Sequence, residues 1–207
     1  MNTQTRKINA LFVARQKAIS THIRIWVICV MTVLLAVANP ATAQTGAGQA
    51  LYFDGVNDWV EIPSAVVPTN GDFTVECWVL CPGPTNGYRE MVSQGSPGNA
   101  LYMGTDTNGY IRLGDQWGAT GIPFSYGAWQ HFALTKSDAG LLFYIDGVFQ
   151  TNKPSALLNP SASTAFRLGR QYGAHAEFWF GRMDEVRVWS AARSQRQIQS
   201  TMYGPLS

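Results

Sequence analysis

The sequence predicts an all-β domain, a two-sheet antiparallel sandwich closed by one short helix. Three observations carry that prediction. Turn dipeptides punctuate the chain after residue 50: Asp54-Gly55, Asn70-Gly71, Asn86-Gly87, Asn108-Gly109, Asp138-Ala139-Gly140 and Asp146-Gly147. Such pairs tolerate the positive φ of tight hairpin turns. Between them lie ten strand-like stretches, at 50–54, 58–62, 73–80, 89–94, 100–105, 110–114, 129–135, 141–145, 165–169 and 178–189. The composition agrees, with 20 Gly, 10 Pro, 12% aromatic and only 14% charged residues in 207. That balance excludes a disordered chain or a long solvated helix and favours many short strands.

Residues 1–43 read as a secretory signal peptide. Arg6, Lys7, Arg15, Lys17 and Arg24 precede an apolar run over 25–38, and Ala41-Thr42-Ala43 supplies a small-residue cleavage site before Gln44. The apolar run falls short of the roughly 20 residues of a transmembrane helix, so no membrane insertion is expected after cleavage; an uncleaved N-terminal anchor is the alternative. Residues 44–49 form a flexible lead-in and 50–207 the domain. Of 15 Lys+Arg and 13 Asp+Glu, five basic residues and no acid lie in the leader, so the chain changes from +2 to −3 on losing it. No basic stripe remains to hold phosphates, which excludes nucleic acid as the expected partner.

Each element then has its own reason. In 73–80, Phe73, Val75, Cys77 and Val79 alternate with Thr74, Glu76, Trp78 and Leu80. Both faces carry apolar residues, as in a strand covered on two sides. Cys77 and Cys81, on one extended strand, have Cα atoms about 13 Å apart, beyond the ~7 Å limit of a disulfide. Two free thiols are expected. A bridge would need the chain to turn at Cys81-Pro82-Gly83-Pro84. Ser194 and Gln197 fit a capping box, Ile198 and Met202 share the helix face that packs on the sandwich, and Gly204-Pro205 ends it.

Four stretches, in order, resemble the laminin-G-like domains of the concanavalin A-like superfamily. The first is Ala50-Leu51-Tyr52-Phe53-Asp54-Gly55-Val56-Asn57-Asp58-Trp59-Val60, the second Phe73-Thr74-Val75-Glu76-Cys77-Trp78-Val79. The third is Trp129-Gln130-His131-Phe132-Ala133-Leu134-Thr135 followed by Leu142-Phe143-Tyr144-Ile145-Asp146-Gly147. The last is Phe180-Gly181-Arg182-Met183-Asp184-Glu185-Val186-Arg187-Val188-Trp189. The resemblance implies a jelly roll with its first and last strands side by side. It also implies a structural Ca²⁺ there, on Asp54, Gly55 and Asp184, with Asp58 a weaker candidate; carboxylates, carbonyls and water suit this hard ion. The alternative gives Asp54 to its own turn and pairs Asp184 with an arginine such as Arg187.

Fold alone does not assign function. Catalysis is not expected: the E-x-D-x-E strand of glycosidases on this fold does not occur, and adjacent Asp184 and Glu185 of a regular strand face opposite ways. Glu76 stands alone on its strand, and His131 reads as a structural histidine without a G-x-S-x-G elbow. Binding remains, most readily of carbohydrate, whose apolar ring faces and hydroxyls call for aromatics beside polar groups. Tyr88, Trp117, Tyr126, Tyr172 and His175 are candidates in or beside loops, with Asp115 adjoining Trp117, the preferred contact, for which partial burial under a loop is the alternative. The resemblance assigns Trp59, Trp78, Trp129, Trp179 and Trp189 to packing; Phe178 and Phe180 share a face if the strand is regular and are assigned to core, an exposed patch being the alternative. The expectation is a secreted, extracellular or cell-envelope, non-catalytic module for glycan. An adhesion module for a cell-surface or matrix protein is the first rival, a glycoside hydrolase or lyase the second. The oligomeric state is left open.

Overall fold

The computed structural model describes residues 49–154, 158, 160, 164–172 and 177–204. The expected leader and His175 lie outside the described residues. The chain forms two antiparallel six-stranded sheets. The first has the spatial order β1 (Leu51–Asp54), β12 (Phe180–Trp189), β3 (Phe73–Leu80), β8 (Gln130–Ser137), β9 (Gly140–Ile145) and β10 (Val148–Lys153). The second runs β2 (Val60–Ile62), β11 (Phe166–Leu168), β4 (Arg89–Ser96), β5 (Asn99–Thr105), β6 (Tyr110–Leu113) and β7 (Gly118–Pro123). A single turn of helix, α1 (Gly114–Trp117), joins β6 to β7, and α2 (Gln195–Thr201) closes the chain.

Every expected strand forms, with ends moved by one or two residues. Two others have weak signals: β7 contains two glycines and a proline, and β10 is an exposed edge strand without a buried face. The Asp146-Gly147 signal turns the β9–β10 hairpin, with φ 51° and 70° at its two residues. Both are positive, as a type I′ turn requires.

Strand alternation divides inside from outside. On β3, Phe73, Val75, Cys77 and Val79 point between the sheets and meet Val92, Leu101 and Met103 of the second sheet in one core. Phe124 stands at the centre, edge-on to Phe132 at 5.6 Å and to Trp179 at 5.7 Å. Truncating a ring in such a place costs about 3–5 kcal/mol. Cys77 and Cys81 are both free and buried; burial pushes the Cys77 thiol above its ordinary value and keeps it neutral.

The outward residues of β3 are buried too, because the C-terminal segment lies over them. The Ser194 hydroxyl accepts from the Gln197 backbone N–H, and the Gln197 side chain accepts from the Ser194 N–H at 2.8 Å. This box, worth about 1 kcal/mol, starts α2 at the position where Ile198 packs on Ala133 and Tyr144 of the first sheet.

Candidate functional site

The outer face of each sheet carries one cluster of buried charge. On the first sheet it centres on Glu76, which is wholly buried. Its Oε1 accepts from Arg193 Nη1 at 3.0 Å and from Trp189 Nε1 at 2.9 Å, with Arg187 Nη1 at 3.8 Å. Burial pushes the Glu76 carboxyl up, against the pull of Arg193, Trp189 and Arg187. His131, opposite Trp78 in the ladder, has its Nε2 3.9 Å from Glu76 Oε2, too far for a hydrogen bond. Burial, then the charges of Arg187 and Arg193, push its pKa down to about 3, so the imidazole is neutral and the contact is no ion pair. The same arginines tie down the chain end. Arg193 donates to the Gln197 carbonyl, Arg187 to those of Thr201 and Gly204, and Trp78 Nε1 to that of Met202. With Tyr203 over Trp78 at 5.5 Å, this cluster is sealed and structural.

The second sheet keeps its cluster at an open surface. Glu90 of β4 and Arg112 of β6 are both cross-strand partners of Gly104 on β5, so the three residues form a row across the outer face. Gly104 has no side chain, and the two charged groups meet over it with Arg112 Nη1 3.1 Å from Glu90 Oε1. A Cβ at Gly104 would collide with Glu90 Oε2 and the Arg89 carbonyl. Glu177 joins from the chain before β12: its Oε2 accepts from Arg112 Nη1 at 3.3 Å, and its carbonyl accepts from the Glu90 N–H. Burial alone would lower the Arg112 pKa, but Glu90, the Tyr102 hydroxyl and Glu177 outweigh it and hold the guanidinium above its ordinary value. The cation is locked.

Aromatic rings enclose that cation. Arg112 lies over the Tyr88 ring at 4.2 Å and the Tyr102 ring at 4.6 Å. Tyr172 stacks on Tyr102 with 6.4 Å between centroids and 15° between planes. Tyr102 and Tyr172 are buried, while Tyr88 is 44% exposed. A second stack lies on the same face, where Arg170 sits 4.8 Å over Trp59 and 5.6 Å over Phe178. Ser93 of β4 anchors it by donating from its hydroxyl to the Arg170 carbonyl at 2.7 Å. Each such contact is worth about 0.5–2 kcal/mol and holds its ring in one orientation.

The structure thus links Tyr88 to Tyr172, 84 positions apart in the sequence, through Arg112 and Tyr102, with Tyr172 buried rather than open to a ligand. It does not bring Trp117 to them: that ring, on the last residue of α1, is half-buried against the inter-sheet core. Asp115 lies in α1 and its side chain is outside the described set. Tyr126 also packs on the core, 5.2 Å from Phe124. Trp59 reverses its expected packing role, being 39% exposed on the second sheet's outer face. Phe180 packs against the core as expected, whereas Phe178 lies half-buried under Arg170. Glu90, Arg112, Tyr102 and Glu177 escaped the sequence reading. The period-two pattern does put Glu90 and Arg112 outward, but not which strands adjoin.

The expected calcium donors are placed as follows. Asp54 pairs with Phe180 and Leu51 with Met183, which leaves Asp184 four residues along the ladder from Asp54, about 13 Å at strand rise. Asp54 Oδ1 accepts from the Val56 and Asn57 N–H groups, and these bonds, Val56 first, hold its carboxyl below the usual range. The carboxylate caps its own turn with Gly55 inside it. Asp54, Gly55 and Asp184 therefore do not fit one calcium ion. Among the described residues no group of three or more His, Cys, Asp or Glu is placed to hold a metal. Arg187 takes Glu185 Oε2 at 2.6 Å, through a bulge between Asp184 and Arg187 where Glu185 adopts φ 48°.

Two antiparallel six-stranded sheets packed as a jelly roll define a class of protein, and sequence agrees. Residues 54–199 match the laminin G-type model of the concanavalin A-like lectin/glucanases superfamily, and the chain belongs to that superfamily. No curated protein matches it significantly. Among solved structures it is similar to a candidate carbohydrate binding protein from Bacteroides ovatus, at 22% identity and TM-score 0.62, over 76% of this chain and 47% of that one. It is also similar to domain 4 of AbnA, a GH43 extracellular arabinanase from Geobacillus stearothermophilus solved with arabinotriose (20% identity, TM-score 0.53, 76% and 78% covered). Trypanosoma rangeli sialidase matches at 18% identity and TM-score 0.58, over 75% of this chain and 28% of the sialidase. The chain thus spans about half of the Bacteroides protein and little more than a quarter of the sialidase, and at these identities the likeness is one of fold.

Proposed function

We propose that this chain is a non-catalytic carbohydrate-binding module whose site is the outer face of the second sheet. One observation carries the reading: Tyr88 is held half-exposed by a guanidinium that two carboxylates and a buried tyrosine lock in place. A rigid ring with neighbouring donors and acceptors suits a sugar, because flat apolar area is offered at little entropy cost. The superfamily and the names of the Bacteroides protein and the arabinanase domain support the class of ligand. The leader at 1–43 supports export, so the glycan is an extracellular or envelope one. The test is a glycan array probed with the full chain and with Tyr88→Ala. Specific hits lost in the variant are expected; silence on glycans with capture of a matrix protein would favour adhesion instead.

A hydrolase is the second reading, and one observation favours it. Glu90 and Glu177 share one guanidinium nitrogen, and paired carboxylates about 5–9.5 Å apart perform glycoside hydrolysis. Against it, Glu90 is 0% exposed beneath Arg112, and a buried, ion-paired carboxylate is poorly placed to meet a glycosidic oxygen. Release of reducing sugar that disappears in Glu177→Gln would establish the hydrolase.

A further inference from the structure

The second sheet offers two ring platforms on one face, and Tyr88 is only one of them. Trp59 precedes β2 and Tyr88 precedes β4. In the ladders Val60 aligns with Leu168, and Leu168 with Val92, so both platforms stand at the same end of the sheet. Two strand spacings and two ladder steps separate them, on the order of 12 Å, more than one sugar ring spans. Arg170 backs Trp59 at 4.8 Å and Arg112 backs Tyr88 at 4.2 Å, yet 39% and 44% of these residues remain open to solvent. Between them lie the Phe178 ring and the chain at Arg170, whose carbonyl caps Ser93 of β4.

Among the described residues, the charges beside the two platforms are mostly paired. Arg112 is paired with Glu90 and Glu177, and Arg167 with Glu61 at 2.9 Å. Arg170 stacks on Trp59 and Phe178, and Arg89 donates to Thr85 and to the Asn86 and Phe178 carbonyls. An anionic sugar brought here would have to compete with Glu90 and Glu177 for a cation they already hold, and unmatched charge is costly in such a setting.

We propose that the outer face of the second sheet binds an uncharged oligosaccharide laid across two platforms, Trp59 and Tyr88. This rests on the carbohydrate reading above and adds to it the length and the charge of the ligand. The experiment is calorimetric titration of the full chain with neutral glucan, xylan, arabinan and galactan sugars of one to six units, beside galacturonate oligomers. Melting curves check that Trp59→Ala, Tyr88→Ala and the ring-keeping Trp59→Phe are folded. The expected result is a neutral trisaccharide or longer chain bound at least tenfold tighter than its monosaccharide. Trp59→Ala and Tyr88→Ala should each weaken the longer chain by tenfold or more, and Trp59→Phe should retain most of the affinity. Preference for galacturonate over every neutral chain would overturn the charge inference. Tight binding that Trp59→Ala leaves unchanged would overturn the two-platform inference. Either result leaves the carbohydrate reading standing, whereas wild-type protein that binds no glycan of any kind sinks both.

Discussion

Glu76 and Glu90 are both wholly buried, both on the outward side of an interior strand, and both within 3.1 Å of an arginine. Aromatic rings surround each pair. Over Glu76 the chain folds back, so that Arg187, Arg193 and Trp78 spend their donors on the carbonyls of residues 197–204. On the Glu90 face the chain at Arg170 and Tyr172 covers Ser93 and Tyr102, and the rings of Tyr88 and Trp59 keep part of their surface toward water. A desolvated carboxylate beside arginine is therefore no sign of function by itself. The distinguishing feature is where the neighbouring rings and donors point, into the chain's own backbone or outward.

That contrast can be broken from either side. The largest expected effect is at the sealed cluster: Glu76→Ala leaves Arg193 and Arg187 buried without their shared carboxylate, and breaking such a pair costs about 3–5 kcal/mol. Denaturant unfolding measures it, and a loss under 1 kcal/mol would show the cluster to be less well sealed. Gly104→Ala comes next. Its methyl group must displace Glu90 and the Arg89 carbonyl, an overpacking cost of about 1–3 kcal/mol. Because Arg112 loses its anchor, glycan binding should fall further than the loss of stability explains.

A pH series separates the two clusters more finely. His131 has a folded pKa of about 3 against 6.5 unfolded. The unfolded chain takes up the proton first, so this stability is fully present above pH 6.5 and is lost as pH falls toward 3. The slope is at most about 1.4 kcal/mol per pH unit. Melting curves from pH 7 to 4 should steepen accordingly, and His131→Gln should flatten that part; an unchanged slope in the variant would refute the assignment. At the open face, Tyr88→Ala loses the contact with Arg112 and should cost about 0.5–1 kcal/mol, while removing binding. Smallest of all is the calcium effect. With Asp184 four ladder steps from Asp54, equal melting temperatures in EDTA and in millimolar Ca²⁺ are expected. A rise of several degrees that Asp184→Ala abolishes would show that the ends of β1 and β12 rearrange to hold the ion.

Much of the fold was legible because its signals are local. Alternation in Phe73–Leu80 marks a strand covered on both sides, Asp146-Gly147 marks a hairpin, and Ser194 with Gln197 marks a helix start. Tyr88 and Tyr172 were picked out by residue type alone, but the structure buries Tyr172 against Tyr102, away from a ligand. Trp59 was misassigned because a tryptophan beside a strand carries no label for which face it joins. β7 and β10 were missed because an edge strand needs neither a buried face nor strong propensity.

By itself the sequence determined the sandwich, its closing helix and the two free thiols, since hydrophobic period, turn chemistry and capping act over a few residues. Only the tertiary structure decided that Glu90 and Arg112 meet across Gly104, that Glu177 and Tyr88 join them, and that Trp117 turns inward. Those outcomes depend on which strands adjoin and in what register, and a one-residue slip would send every side chain to the opposite face.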